Sequence, residues 1–149
     1  MSHFSSIQCE YQSKNEAALV QALEEVFGKG NVLVSDEGLA LFGYHGDDRS
    51  KLPASNPNHA PKCNVVIRRQ HVGSASNDVG FVRTEDGKYK MYVSDYDQGG
   101  NFGSAKQKAV KQMYTANVTK KQLKSQGYQV SMSKDKAGNL KILASKYSK

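Results

Sequence analysis

Hydrophobic and polar residues alternate most clearly over residues 77–97, on both sides of an Asp86-Gly87 pair. An Asp-Gly pair between two runs rich in Val, Phe, Tyr and Met predicts a β-hairpin. If the pair forms a two-residue loop, the strand positions on either side face each other in order. The predicted pairs are Glu85 with Lys88, Arg83 with Lys90, Val82 with Met91, and Phe81 with Tyr92. One predicted face of the hairpin carries Gly80, Val82, Tyr89, Met91 and Val93.

A helical period of apolar residues predicts two helices. The first has its apolar stripe over residues 19–27 and ends at Gly28, because glycine readily adopts a positive φ. The second is predicted to begin at Ser104 and to end at Gly127. Residues 117–119 have low helix propensity, so this helix is predicted to continue, to kink or to divide there.

Short apolar runs predict the remaining strands. They are a first strand within 4–11, two short strands or one hairpin at 32–34 and 39–44, a buried strand at 64–69, and a C-terminal hairpin over 128–147. This order of elements predicts an α+β fold in a single domain, residues 1–149. We expect a mainly antiparallel sheet of about six to seven strands with two helices packed on one face. A ferredoxin-like topology is one arrangement that fits.

One long segment, residues 45–62, has the composition of an extended or irregular loop. It contains all three prolines of the chain, Pro53, Pro57 and Pro61. Proline lacks the N–H that a strand ladder needs, and it directs the preceding residue away from the helical region. Because loops of this length are commonly functional or disordered, this segment is the first candidate among the loops for contact with a ligand or partner.

Positive charge is concentrated in the C-terminal part of the chain. Residues 104–149 contain eleven lysines, no arginine and one acidic residue, Asp135, which leaves +10 there and −3 in residues 1–103 out of a net +7. Lysine neutralises phosphate and tyrosine can stack on unpaired bases, so this part is a candidate for nucleic-acid binding. The candidate residues are Lys106, Lys111, Lys120, Lys121, Lys124, Tyr114 and Tyr128, with Tyr147 as a further interleaved tyrosine. A solvated basic face is the alternative interpretation.

The glycine-rich segment before the second helix is a candidate anion site. Gly100, Gly103 and Ser104 would present free N–H groups at the positive end of a helix dipole. A flexible linker is the alternative interpretation of the same residues.

No other part of the sequence has the spacing of a reaction or metal centre. Phosphate-loop, nucleophile-elbow and dinucleotide-binding motifs are absent, and the four histidines and two cysteines lack the close spacing of zinc ligands. Asp78, Asp95 and Asp97 flank the hairpin and could act in acid-base chemistry or bind Mg²⁺. Turn aspartates that bond the backbone are commoner. We therefore predict no enzyme activity, no metal and no cofactor.

The sequence also bears on cellular location. No apolar run approaches the roughly 20 residues that span a bilayer, and the first residues lack a basic and apolar leader. Cys9 and Cys63 each lie in a predicted strand, where a reduced cysteine packs as a small apolar residue. We expect a soluble protein in a reducing, intracellular compartment.

Several stretches of the sequence resemble one family. They are Met-Ser-His-Phe-Ser at 1–5, Asn-Val-Val-Ile-Arg-Arg at 64–69, Ser-Asn-Asp-Val-Gly-Phe at 76–81, Asp-Gly-Lys-Tyr at 86–89 and Lys-Ser-Gln-Gly-Tyr-Gln-Val at 124–130. Together they resemble a small domain-of-unknown-function family, encoded in red-algal plastid genomes as a conserved hypothetical reading frame and also in cyanobacteria and some phages. The resemblance covers nearly the whole chain and implies a location in the cytoplasm, the plastid stroma or an infected host cell.

The resemblance implies no catalytic residue. In the family, a longer connection with aromatic residues introduces the basic helix, whereas residues 98–103 are short and rich in glycine.

Three functions fit these observations. The first is a non-enzymatic accessory protein that binds a protein partner through the loop 45–62 or an exposed edge of the sheet. The second is binding of RNA or single-stranded DNA by the lysine-rich C-terminal half. The third and weaker alternative, for a phage-encoded member, is capture of a nucleotide or other small anion where the helix starts at Ser104.

Overall fold

A computed structural model describes residues 2–146, which contain seven strands and four α-helices. The elements are β1 (Phe4–Cys9), α1 (Glu16–Phe27), β2 (Val32–Leu39), β3 (Cys63–Ile67), α2 (Arg69–Val72), β4 (Val79–Arg83), β5 (Tyr89–Ser94), α3 (Asp95–Gln98), α4 (Ser104–Ser125), β6 (Tyr128–Lys134) and β7 (Leu140–Lys146). Five strands form one sheet, and β6 and β7 form a separate hairpin. The predicted α+β class is confirmed, with the seven strands divided between two sheets. Tyr147 lies outside the described residues.

The strand order β1-β5-β4-β3-β2 places the first two strands of the chain at opposite edges of the sheet. All neighbouring strands are antiparallel, so β1 and β2 run in the same direction with three strands between them. α1 joins these two edges and crosses the sheet, and β2 to β5 follow as a meander. The order therefore differs from a ferredoxin-like topology, in which a split β-α-β unit encloses a single strand.

α1 and α4 pack against each other on one face of the five-stranded sheet, as predicted. α1 buries Leu19 and Leu23, and α4 buries Val110, in the larger hydrophobic core. The sheet adds alternate side chains of its three central strands, as expected for one face of a pleated sheet. They are Val65, Ile67, Val79, Phe81, Tyr89, Met91 and Val93.

Residues 40–62, which include all three prolines, cover the opposite face of the sheet; we name them the covering loop. Leu41 and Ala60 of this loop pack with Cys63 and Val66 of β3, and all four side chains are fully buried. The backbone of residues 45–62 is irregular, as predicted, apart from a 3₁₀ turn at Arg49–Lys51 and a single bridge from Asp48 to Phe42. Helices therefore cover one face of the sheet and a loop covers the other.

The hairpin of β4 and β5 forms, but the predicted register is wrong by one residue. Phe81 pairs with Met91 instead of Tyr92. The loop has three residues, 85–87, because Thr84 N donates to the Lys88 carbonyl oxygen over 2.9 Å. The last of the three loop residues is a glycine with a φ of 80°, which is the usual way to close such a loop.

This one-residue difference exchanges the two faces of β4 relative to β5. Val79, Phe81, Tyr89, Met91 and Val93 face the helices. Gly80, Val82 and Tyr92 lie on the face that the loop covers.

β2 is one irregular strand, which corrects the prediction of two short strands or a hairpin. Val32 lies opposite Ile67 and Leu39 lies opposite Cys63, so both ends of β2 pair with β3. The register shifts between Val34 and Leu39, so the polar residues there form an irregularity instead of a turn between strands. Residues 40–44, predicted as strand, leave the sheet and begin the covering loop.

α4 continues as a single helix through residues 117–119, so the low helix propensity there does not divide it. Asn117 Nδ2 donates to the Ala18 carbonyl oxygen of α1 over 3.2 Å, so contact with α1 supports the segment of lowest propensity. The predicted C-terminal hairpin is confirmed as β6 and β7. It packs on α4.

Gly80 of β4 has no space for a side chain. A Cβ atom there would lie 2.5 Å from Cys63 Sγ and 2.8 Å from Leu41 Cδ2. Both neighbours are fully buried beneath the covering loop, and densely packed side chains have little room to move aside.

We expect Gly80→Ala to lower the free energy of unfolding by about 1–3 kcal/mol, the usual cost of overpacking a core. Urea denaturation followed by circular dichroism measures the change. Gly100→Ala is the matched control, because a Cβ at Gly100 would meet only the Tyr96 carbonyl oxygen, at 3.5 Å. Equal unfolding midpoints for the two variants would contradict the expectation.

Candidate functional site

Asp78 lies fully buried between the sheet and the covering loop. One of its carboxylate oxygens accepts hydrogen bonds from Phe42 N and from Arg68 Nη1, each over 2.8 Å. The other oxygen accepts from Arg69 N over 2.6 Å. The Arg68 guanidinium balances the charge of the Asp78 carboxylate, and two backbone N–H groups donate to the same carboxylate. Because Phe42 lies in the loop, Asp78 holds the loop to the sheet.

Asn77 connects the loop to the end of β5. Its side-chain oxygen accepts from Tyr44 N over 3.1 Å, and its Nδ2 donates to Ser94 Oγ over 2.9 Å. Its backbone N–H donates to Asp97 Oδ2 over 2.9 Å. Asp97 is fully buried, and its second oxygen has no hydrogen-bond partner among residues 2–146. Asp95, by contrast, is exposed and accepts from Ser5 Oγ over 2.8 Å, so the three predicted aspartates have separate partners.

Arg49 is the largest polar side chain in the interior, with 1% of its surface exposed. Its Nε donates to Asp47 Oδ2 over 2.6 Å. Its Nη1 donates to the carbonyl oxygens of Ser2 and Asn58, each over 2.8 Å. A single guanidinium therefore joins the N-terminal residues to both arms of the covering loop.

A groove of about 410 Å³ lies between α1 and α4; we name it the lysine groove. Lys14 lines it from the turn before α1, and Lys120, Lys121 and Lys124 line it from α4. The other lining residues are uncharged: Asn15, Ala17, Ala18, Gln21, Asn117 and Val118. Within residues 2–146, none of these lysines has a carboxylate within 4.0 Å. The groove thus holds several positive charges without a neutralising partner.

The two remaining lysine candidates lie elsewhere on α4. Lys106 is exposed in the first turn, about 20 Å along the helix from Lys120. Lys111 lines a different depression together with Lys108. The structure therefore brings together three of the five predicted lysines and separates the other two from them.

The second depression, of about 550 Å³, lies between β1, the central strands and the N-terminal half of α4; we name it the apolar cleft. Buried side chains form its floor: Cys9, Phe81, Met91 and Phe102. Its rim includes Lys108 and Lys111, both exposed. Burial raises the pKa of the Cys9 thiol to about 11, so this thiol is protonated at neutral pH.

Both candidate stacking tyrosines contribute to packing. Tyr114 lies edge-on to Tyr11 with 4.7 Å between ring centroids, and its hydroxyl accepts from Gln12 N over 2.9 Å. Tyr128 is half-buried, and Lys146 Nζ lies 5.6 Å from its ring centroid. Both rings already have a neighbour in the structure, so base stacking by these residues stays a prediction.

The glycine-rich anion candidates have mixed environments. Gly100 N donates to the Asp97 carbonyl oxygen over 3.1 Å and is not free for a ligand. Gly103 is the N-cap of α4, and Ser104 is its exposed first residue. Anion capture at this helix start stays a prediction.

Among residues 2–146, no three His, Cys, Asp or Glu side chains are placed to hold one metal ion. No helix of the same range has the length and apolarity to cross a bilayer.

Two residues of these sites were missed by sequence reasoning. Lys14 precedes the first helix, and its position beside Lys121 depends on the antiparallel packing of α1 and α4. Arg49 lies in a polar stretch of the sequence, 46–50, where an exposed side chain is expected. No sequence signal marks Lys14 as part of this site, because its position depends on how α1 and α4 pack.

We expect Arg49→Met to lower the free energy of unfolding by about 3 kcal/mol, because it leaves the partly buried carbonyl oxygens of Ser2 and Asn58 without their donor and removes a buried guanidinium. Thermal unfolding measures the loss, and limited proteolysis of residues 45–62 shows whether the loop detaches. The control is Lys51→Met, because Lys51 is an exposed neighbour in the same turn. Equal stability of the two variants would show that the loop is held by other contacts.

Comparisons with known proteins give one result. No curated protein and no solved structure matches the chain. A family model described as "Protein of unknown function (DUF1257)" matches residues 39–143. This range is more than half of the chain, and it includes the covering loop, Asn77 and Asp78, and all of α4. The resemblance to a domain-of-unknown-function family is therefore confirmed, and the chain belongs to the DUF1257 family.

Proposed function

We propose that this protein is a non-enzymatic binding protein whose lysine groove engages the phosphate backbone of RNA or single-stranded DNA. The observation that carries the proposal is the convergence of Lys14, Lys120, Lys121 and Lys124 on one groove with no acidic lining residue. Clustered ammonium groups in a concave surface focus positive potential and attract a polyanion. A groove between two helices suits one extended strand better than a duplex.

Lys111 does not extend the lysine groove. It is nine residues before Lys120, which is about two and a half helical turns, so it lies on the opposite side of α4. The proposal therefore depends on the four lysines of the groove.

The side chains of α4 also indicate how such binding would work. The lysine-rich half contains no arginine, and Tyr114 is already engaged by Tyr11 and Gln12. Binding would therefore depend on phosphate contacts and would be largely independent of base sequence. The buried carboxylates of Asp78 and Asp97 bond backbone and neighbouring side chains, which supports a role without catalysis.

We expect the triple variant Lys120→Gln, Lys121→Gln, Lys124→Gln to bind a fluorescent oligouridine more weakly. The slope of log K against log salt should decrease by about 2, since each phosphate contact on a single strand contributes about 0.7. Fluorescence anisotropy over a series of NaCl concentrations measures both quantities.

The matched control is Lys29→Gln, Lys51→Gln, Lys62→Gln, which removes the same charge from exposed lysines away from α4. An equal loss of slope in both variants would mean that net charge alone attracts the oligonucleotide. Absence of binding by the unmodified protein at low salt would end the proposal.

A protein partner at the sheet edge is the second candidate function, and β2 favours it. β2 is an edge strand, and Leu33 and Val34 on it are 40% and 47% exposed. The free backbone groups of an edge strand can pair with an extended peptide. The loop 45–62 is a less accessible surface than its length suggested, because Arg49 and Ala60 anchor it in the interior.

We expect Leu33→Lys combined with Val34→Lys to reduce recovery of such a partner from native lysate to background, since lysine on an edge strand opposes pairing with another chain. Leu143→Lys on β7 is the control, because Leu143 is also an exposed leucine, at 62%. Affinity purification with quantitative mass spectrometry measures recovery. Equal recovery with both variants would remove the edge from consideration.

The biological setting remains a proposal of the same kind. The red-algal plastid, cyanobacterial and phage distribution implied by the resemblance would place the protein in the cytoplasm, the plastid stroma or an infected cell.

A further inference from the structure

The apolar cleft combines a buried apolar floor with a cationic rim. Lys108 and Lys111 on its rim are exposed, and the lining side chains of Ile7, Tyr11 and Tyr114 are partly exposed. We propose that this cleft binds a fatty acid, with the acyl chain against these three side chains and the carboxylate between the two lysines. This site is separate from the lysine groove and does not depend on nucleic-acid binding.

The dimensions of the cleft suit such a ligand. Its volume of about 550 Å³ lies within the range of small-molecule sites, about 300–1,000 Å³. Ile7 belongs to β1 and Tyr114 belongs to α4, so the acyl chain would lie against rigid elements. Binding to a preformed surface avoids much of the entropy cost of ordering a site.

An aromatic pair forms one wall of the cleft. Tyr11 and Tyr114 pack edge to face with their ring centroids 4.7 Å apart. Tyr11 also packs edge-on to Phe81 at 6.3 Å. The Tyr114 hydroxyl accepts from Gln12 N over 2.9 Å, which fixes the ring on the strand side of the cleft. The wall therefore presents ring faces and edges, and a methylene chain can pack against both.

The charge on the rim selects an anionic head group. Lys108 and Lys111 are three residues apart on α4, so they lie on neighbouring turns of one helix face. Glu10 also lines the cleft, but its carboxylate accepts from Lys88 Nζ over 2.9 Å. Within residues 2–146, neither rim lysine has a carboxylate within 4.0 Å. A carboxylate ligand would supply the missing counter-charge.

Binding would be non-covalent. A free carboxylate does not acylate a thiol without prior activation, and the Cys9 thiol on the floor is buried. The ligand is therefore expected to exchange freely, which permits equilibrium titration.

The first experiment titrates the unmodified protein with octanoate, decanoate and dodecanoate below their micelle concentrations, by isothermal calorimetry. Each pair of added methylenes is expected to tighten binding by about tenfold. Dodecanol, which has the same chain and no charge, is expected to bind about fivefold more weakly than dodecanoate. Equal affinity for the three acids would overturn the proposal, because it would mean that the chain is not buried.

The second experiment uses variants of the rim. Lys108→Gln combined with Lys111→Gln is expected to weaken dodecanoate by about five- to tenfold and to leave dodecanol unchanged. Thr115→Trp is expected to abolish binding of both ligands, because the indole would occupy the cleft that Thr115 lines. Thr115 is exposed, so the larger side chain does not disturb the packing of the core. Lys136→Gln combined with Lys141→Gln is the charge-matched control on the C-terminal hairpin.

Two outcomes would show that the protein does not bind a fatty acid in this cleft. Unchanged dodecanoate binding by the Thr115→Trp variant would overturn the proposal. Binding to phosphatidylglycerol vesicles without binding to monomeric dodecanoate would also overturn it, since the recognised object would then be a membrane surface. The triple variant at Lys120, Lys121 and Lys124 should retain full dodecanoate affinity, so failure of the nucleic-acid proposal leaves this test intact.

Discussion

The hydrogen bonds of Asp78 and Asn77 hold the covering loop to the sheet, and the rest of the structure depends on that attachment. The helices bury one face of the sheet mainly through apolar contacts, but residues 40–62 are poor in apolar side chains. Their position is fixed instead by a buried carboxylate, a buried amide and the Arg49 guanidinium. A buried polar group that loses its hydrogen-bond partner costs free energy. These directional hydrogen bonds therefore favour one path of the loop, whereas apolar contacts alone would allow several.

The covering loop packs on one face of the sheet, and the candidate binding surfaces lie on the helices of the other face. α4 contacts α1 on one side and the sheet and C-terminal hairpin on others, so depressions form along its flanks. Its lysines divide between these depressions according to their position in the helical turn. The same element therefore offers a strongly basic groove near its end and an apolar cleft with a basic rim near its start. Two chemically different ligands could bind one helix without competing for side chains.

Sequence reasoning predicted the elements whose information is local. α1, α4 and the C-terminal hairpin follow from apolar periodicity, and the ends of the two helices follow from Gly28 and Gly127. The register of β4 and β5 did not follow, because Glu85-Asp86-Gly87 is compatible with two loop lengths and only packing of Phe81 beneath the helices selects one. Likewise, the α4 lysines were predicted but Lys14 was not, since its place depends on how two distant helices pack.

The position of β1 has a consequence for synthesis of the chain. Phe4 pairs with Ser94 and Cys9 pairs with Tyr89, so β1 pairs with residues about 85 positions later in the chain. β2, β3 and β4 pair with their neighbours in sequence, so they can form a sheet before β5 is synthesised. β1 can join this sheet only through β5. Until β5 is in place, β1 is a strand without its partner, and its free backbone groups can pair with another chain.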